Sequence, residues 1–120
     1  MISEVKDIMS IEVFDLENFR PEDYENFSIS VTVTVGPKGE AAGDYFGIEI
    51  CTPKWLLNNR NDDVILGKGT LIVFRCDMKV ILARIKALFG GCSGRDWNEI
   101  AIKLSRIGNW EFENYREFNP

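Results

Sequence analysis

Carboxylates are the chemistry this sequence offers most freely. They cluster as Glu22, Asp23 and Glu25, as Asp62 and Asp63, and as Glu111 and Glu113. Paired carboxylates can do acid–base work when their surroundings push one to hold a proton and the other to lose it. On a strand, Glu111 and Glu113 would point the same way. The chain contains no histidine, which removes the commonest general base, the Ser-His and Cys-His nucleophile pairs, and imidazole metal ligands. Asp62 and Asp63 lack the alternate oxygen ligands and distal Glu of a calcium loop. "GPKGEAAG" (36–43) has glycines but neither the Walker lysine spacing nor a following helix, and "LGKGT" (66–70) precedes a strand. Neither reads as a phosphate cradle. No cofactor and no metal site is expected, and a small carboxylate-dependent enzyme stays only as an alternative reading.

Cys51, Cys76 and Cys92 are odd in number and show no CxxC spacing. They read as free, partly buried thiols in a reducing compartment. The formal charge is −5, and eight of the acids but only two bases fall within residues 1–25, so the remainder is near neutral. A negative field repels phosphate backbones, which argues against direct nucleic-acid binding, and steers a basic protein partner towards the surface. The acids Glu22, Asp23, Glu25, Asp62, Asp63, Glu111 and Glu113 are therefore the candidate partner-binding residues.

The elements that must carry these groups follow from periodicity. A chain of 120 residues, 45% hydrophobic and 28% charged, suits one globular domain, 1–120. No apolar run approaches the roughly 18 residues a membrane span needs, and "MISEVKDIMSIEVFDL" lacks the basic start of a secretory signal. A cytoplasmic protein without membrane contact is expected. In "FSISVTVTV" (27–35) Phe27, Ile29, Val31, Val33 and Val35 alternate strictly with Ser and Thr, a half-buried strand with one polar face. The turn chemistry of 36–44 and the alternation of "YFGIEIC" (45–51) complete an antiparallel hairpin. "IMSIEVFDL" (8–16) predicts a further strand, and 17–26 a polar connection broken by Pro21.

Thr52 and Pro53 have the cap-then-proline order of a helix start, with Trp55 and Leu56 as anchors. The apolar run "TLIVFRC" (70–76) predicts a strand buried on both faces. Two amphipathic helices follow. One is capped by Asp77 and ended by Gly90 and Gly91, with Met78, Ile81, Leu82, Ile85, Leu88 and Phe89 on one stripe. In the other, Asp96 and Glu99 have capping-box spacing, Trp97, Ile100, Ala101, Leu104 and Ile107 form the stripe, and Gly108 closes it. "WEFENY" (110–115) then predicts an extended segment, with Trp110 and Phe112 on one side and Glu111 and Glu113 on the other. The order β-β-β-α-β-α-α-β predicts an α+β protein: a mostly antiparallel sheet with C-terminal amphipathic helices packed on one face, in two layers.

Taken in order, "VGPKGEAAGDYFGIEICTPKWL", "GTLIVFRCD" and "DWNEIAIKLSRIGNWEFENY" resemble the immunity protein 8 family of bacterial polymorphic-toxin systems. The stretch covers roughly residues 27–115, and the acidic first 25 residues match less clearly. The resemblance implies a small non-enzymatic α+β protein that binds the C-terminal domain of a cognate toxin and protects producer and sibling cells. A basic nuclease domain suits an acidic chain as the target. A regulatory or structural subunit of a larger assembly is the other alternative. Oligomeric state is left open.

Overall fold

The strict alternation of residues 27–35 sets the spine of the fold. In the computed structural model, which describes residues 1–113, β2 (Ser28–Pro37) pairs antiparallel with β3 (Asp44–Cys51). The register brings inward residues directly opposite each other: Ile29 with Ile50, Val31 with Ile48, Val33 with Phe46. All six are buried, and each contributes about 1.5–3 kcal/mol by leaving water. The hairpin needs glycine at position 36, where a Cβ would overlap the carbonyl oxygen of Ala42.

β1 (Ser3–Met9) pairs antiparallel with the outer edge of β2, from Ser3 opposite Pro37 to Met9 opposite Thr32. The strand expected at 8–16 therefore lies earlier in the chain. The register shifts between Val5 and Asp7, so a bulge at Lys6 lets Val5 and Ile8, three apart, share one face. That odd spacing hides the alternation from a period-two search. Residues 11–14 run outside the sheet instead, and Ile11 and Phe14 are exposed. A short 3-10 turn at Leu16–Asn18 buries Leu16.

α1 (Pro53–Asn59) begins as expected at Thr52, whose Oγ1 accepts from the N–H groups of Trp55 and Phe27. It crosses over to β4 (Thr70–Ile72), which runs parallel to β3 with Glu49 opposite Thr70 and Cys51 opposite Ile72. This strand is shorter than the expected 70–76 and is not buried on both faces. It lies at the sheet edge, with Ile72 half exposed and Phe74 81% exposed.

α2 (Met78–Phe89) and α3 (Trp97–Leu104) are capped by Asp77 and Asp96, whose carboxylates accept from Val80 and Glu99 N–H. α3 stops at Leu104, and 105–107 continue as a turn, so the stripe extended to Ile107 overstates the helix. β5 (Asn109–Trp110) then pairs antiparallel with β3 at Phe46 and Gly47. β4 and β5 thus divide one edge of β3 between them. The helices cover the inner face of the sheet: Ile81, Ile85, Phe89, Ile100, Ala101 and Leu104 form one core with the Val, Ile and Phe of β2 and β3. The two-layer α+β arrangement expected from the sequence is the one observed. No helix among the described residues is long and apolar enough to cross a membrane.

One long-range tie closes the far end. Ser3 Oγ donates to Phe89 O (2.7 Å) and accepts from Cys92 N–H (2.9 Å). Its backbone exchanges bonds with Cys92 and Gly91. Gly91 sits at φ +76°, a conformation suited to glycine.

Candidate functional site

The helices cover the inner face of the sheet and leave the outer one open. Alternation sends Ser28, Ser30, Thr32 and Thr34 of β2 outward, opposite Cys51, Glu49, Gly47 and Tyr45 of β3. β4 adds Thr70 and Ile72, β1 adds Asp7 and Met9, and β5 adds Asn109. An open groove of about 390 Å³ crosses this face, lined by Ser30, Thr32, Glu49, Arg60, Lys68 and Asn109 among others. Gly47 leaves its floor bare. Small hydroxyl side chains keep it shallow, and half-exposed Met9, Tyr45 and Ile72 stand at its margins.

Glu49 is the one charged residue that β2 and β3 direct to this face. Its Oε1 is buried and has no hydrogen-bond partner among the described residues. The two nearby cations are engaged elsewhere. Arg60 places Nη2 (2.8 Å) and Nε (3.2 Å) on Asp62 Oδ2, a contact that raises its pKa. Lys68 pairs with Glu113. The Cys51 thiol, fully enclosed beside Glu49, is pushed up to about 11, chiefly by burial, with the carboxylate adding to the rise. It is too weak an acid to serve as a nucleophile.

The seven acids singled out from the sequence fall into two groups. Asp62 reaches the groove through Arg60, with exposed Asp63 beside it, and Glu113 reaches it through Lys68. Glu111 Oε1 accepts from Tyr45 N–H at 3.1 Å, on the β5 side. Glu22, Asp23 and Glu25 lie apart, on the connection that leads into β2. There Asp23 accepts from Glu25 N–H and pairs with Lys54, and these bonds hold its pKa below the usual range. Glu111 and Glu113 do not share a strand face. β5 ends at Trp110, and 111–113 form a turn closed by Glu113 N–H on Trp110 O. The expected extended segment is thus two residues of strand and a turn, while Asn114 and Tyr115 lie outside the described residues.

Sequence reasoning missed Asp44. Its Oδ2 accepts the indole N–H of Trp97 (2.8 Å) and of Trp110 (3.0 Å), joining the hairpin, the start of α3 and β5 at one atom. Trp110 stacks on Phe46 with ring centroids 6.4 Å apart, and Phe112 meets Trp110 edge-on at 5.9 Å. The C-terminal aromatics thus close the sheet edge. Nothing in the spacing marks Asp44, which reads as a turn residue. Glu49 carried a signal, being the lone charge on a strand face of Ser, Thr and Gly.

A second, larger cavity of about 560 Å³ lies between β1, residues 14–17 and α2. It mixes Val5, Ile8 and Leu82 with Lys6, Lys86, Asp7, Asp15 and Glu17. Among the described residues, no group of three or more His, Cys, Asp or Glu could hold a metal ion.

Together these features define a class: a small two-layer α+β protein that presents a polar sheet face and acidic rims rather than an enclosed cleft. The sequence model of the family described as Immunity protein 8 matches residues 3–115, nearly the whole chain, and the protein belongs to that family. It is an immunity protein, of a kind that generally neutralises a toxin. No curated protein and no solved structure gives a significant match.

Proposed function

We propose that this chain binds the C-terminal domain of a cognate polymorphic toxin and neutralises it in producer and sibling cells, acting as a binder and not as a catalyst. The observation that carries this reading is the placement of Asp62, Asp63, Glu111 and Glu113 along one side of an open sheet face in a member of an immunity family. Such a rim accelerates encounter with a basic surface, and the rigid sheet beneath it supplies a defined shape. A basic nuclease domain has the complementary charge. Glu22, Asp23 and Glu25 extend the negative field at the start of β2.

Co-expression tests the proposal. The toxin C-terminal domain encoded beside this chain's gene should be tolerated only when this protein is made, and the two should purify as a stoichiometric complex. Neither rescue nor a complex would end the reading. Within the complex, reversing Asp62 and Asp63 to Lys should slow association roughly tenfold or more at low ionic strength and much less at high salt.

A further inference from the structure

We infer that the outer sheet face is the docking surface and that Glu49 receives a basic side chain, arginine or lysine, from the protein partner. The inference rests on the reading that this chain binds a protein, and adds where and through which atom.

Three observations lead to it. First, buried polar atoms in native proteins almost always have a partner, and the exceptions concentrate where something else must complete them. Glu49 Oε1 is such an exception, although two cations line the same groove. Second, those cations form their ion pairs with Asp62 and Glu113, and Arg60 reaches Glu49 only through its longer-range attraction. Six acids (Asp7, Glu12, Glu49, Asp62, Glu111 and Glu113) border this face against the two bases Arg60 and Lys68 of the groove, which leaves the face with a negative excess around Glu49. Third, the groove has room where it is needed. Gly47 exposes bare backbone next to Glu49 on the outward side, and the nearest atoms a Cβ there would meet belong to Asn109, at 3.9 and 4.0 Å. A cation lying over Gly47 brings Glu49 the donor it lacks, with Ser30 and Thr32 hydroxyls beside it and Met9, Tyr45 and Ile72 as an apolar margin. Aromatic and arginine anchors ringed by weaker contacts are the usual form of an interface centre.

Two substitutions separate docking from folding. Glu49→Gln keeps the shape and removes the charge. It should leave the melting temperature of the free protein unchanged or raised, because a half-buried carboxylate whose Oε1 lacks a hydrogen-bond partner contributes a desolvation cost. It should weaken binding of the neighbouring toxin domain at least tenfold. Gly47→Leu fills the floor from a backbone conformation and a space that accept a side chain, and should weaken binding more while the fold persists. Glu40→Gln, on the exposed hairpin turn, should change affinity less than twofold. Affinities come from calorimetry and the fold from circular dichroism. If wild type binds and Glu49→Gln and Gly47→Leu bind as well as wild type, the docking surface is wrong while the binding function stands. If wild type does not bind, both fail. If the free protein sediments as a dimer that Gly47→Leu converts to a monomer, the face joins two copies and the inference is overturned.

Discussion

Replacing Asp44 by Ala tests how the end of the described chain is held. The carboxylate oxygen accepts two indole N–H bonds, from residues 53 and 66 positions away. Removing it leaves two donors in partly buried sites. A hydrogen bond to a charged acceptor contributes roughly 1.5–3 kcal/mol, and an unsatisfied buried donor costs about 1–3 kcal/mol. Because both bonds share one oxygen and water reaches part of the site, the two losses are not additive. We expect about 2–4 kcal/mol for Asp44→Ala, a melting decrease of roughly 8–16 °C in a domain of this size. Asp44→Asn keeps a neutral acceptor and should lose about half as much. Urea unfolding followed by tryptophan emission reports both quantities, since two of the three tryptophans in the chain are the donors. The native emission of the Ala variant should also shift to the red as Trp110 meets more water. A loss below about 0.5 kcal/mol, within the range of ordinary surface substitutions, would refute the proposed role of this shared acceptor.

Three further outcomes can be checked. Gly36→Ala forces a methyl group into the Ala42 carbonyl and should destabilise by about 3 kcal/mol, whereas Gly39→Ala, at φ +84° in open space, should cost about 1–2 kcal/mol; equal losses would contradict the hairpin geometry. At about pH 8 a thiol reagent should modify Cys92 first, with Cys51 and Cys76 reacting only on unfolding, because both are enclosed and burial raises their pKa; mass spectrometry identifies the order. Glu99 has its pKa lowered, first by Arg95 and then by Lys103, so its contribution is present above the ordinary value of 4.5 and is lost as pH falls through the lower folded value. Stability should therefore decline on acidification below about pH 4.5, and Glu99→Gln should flatten part of that slope in urea titrations; an unchanged slope would show the pairs to be inert.

What could be read from the sequence divides by the range of the interaction involved. The β2–β3 hairpin, the starts of all three helices and the apolar stripes were legible, because alternation and caps are written in adjacent residues. β1 was misplaced because the bulge at Lys6 breaks the phase that a period-two pattern must keep. The run 70–76 looked buried because Leu71, Ile72, Val73 and Phe74 are all apolar, yet burial depends on which neighbour a strand acquires, and β4 acquires one on a single side. Only charge marks Asp62, Asp63, Glu111 and Glu113 in the sequence. Their arrangement around the groove comes from β4 and β5 meeting the same edge of β3. The Asp44 junction arises from contacts across tens of positions, which no local pattern encodes, and the hairpin alternation marks Glu49 as a lone outward charge without showing that its Oε1 goes unpartnered.

The tie at Ser3 has a consequence for how the protein is made. The hairpin and the first strand, which all lie within residues 3–51, can pair early from a nascent chain. The first strand gains its outer bonds only after residues 91 and 92 have emerged, and the third strand gains its last partner with residues 109 and 110. Until residues 70–72 and then 109–110 join it, the free edge of the third strand is an open template for foreign strands.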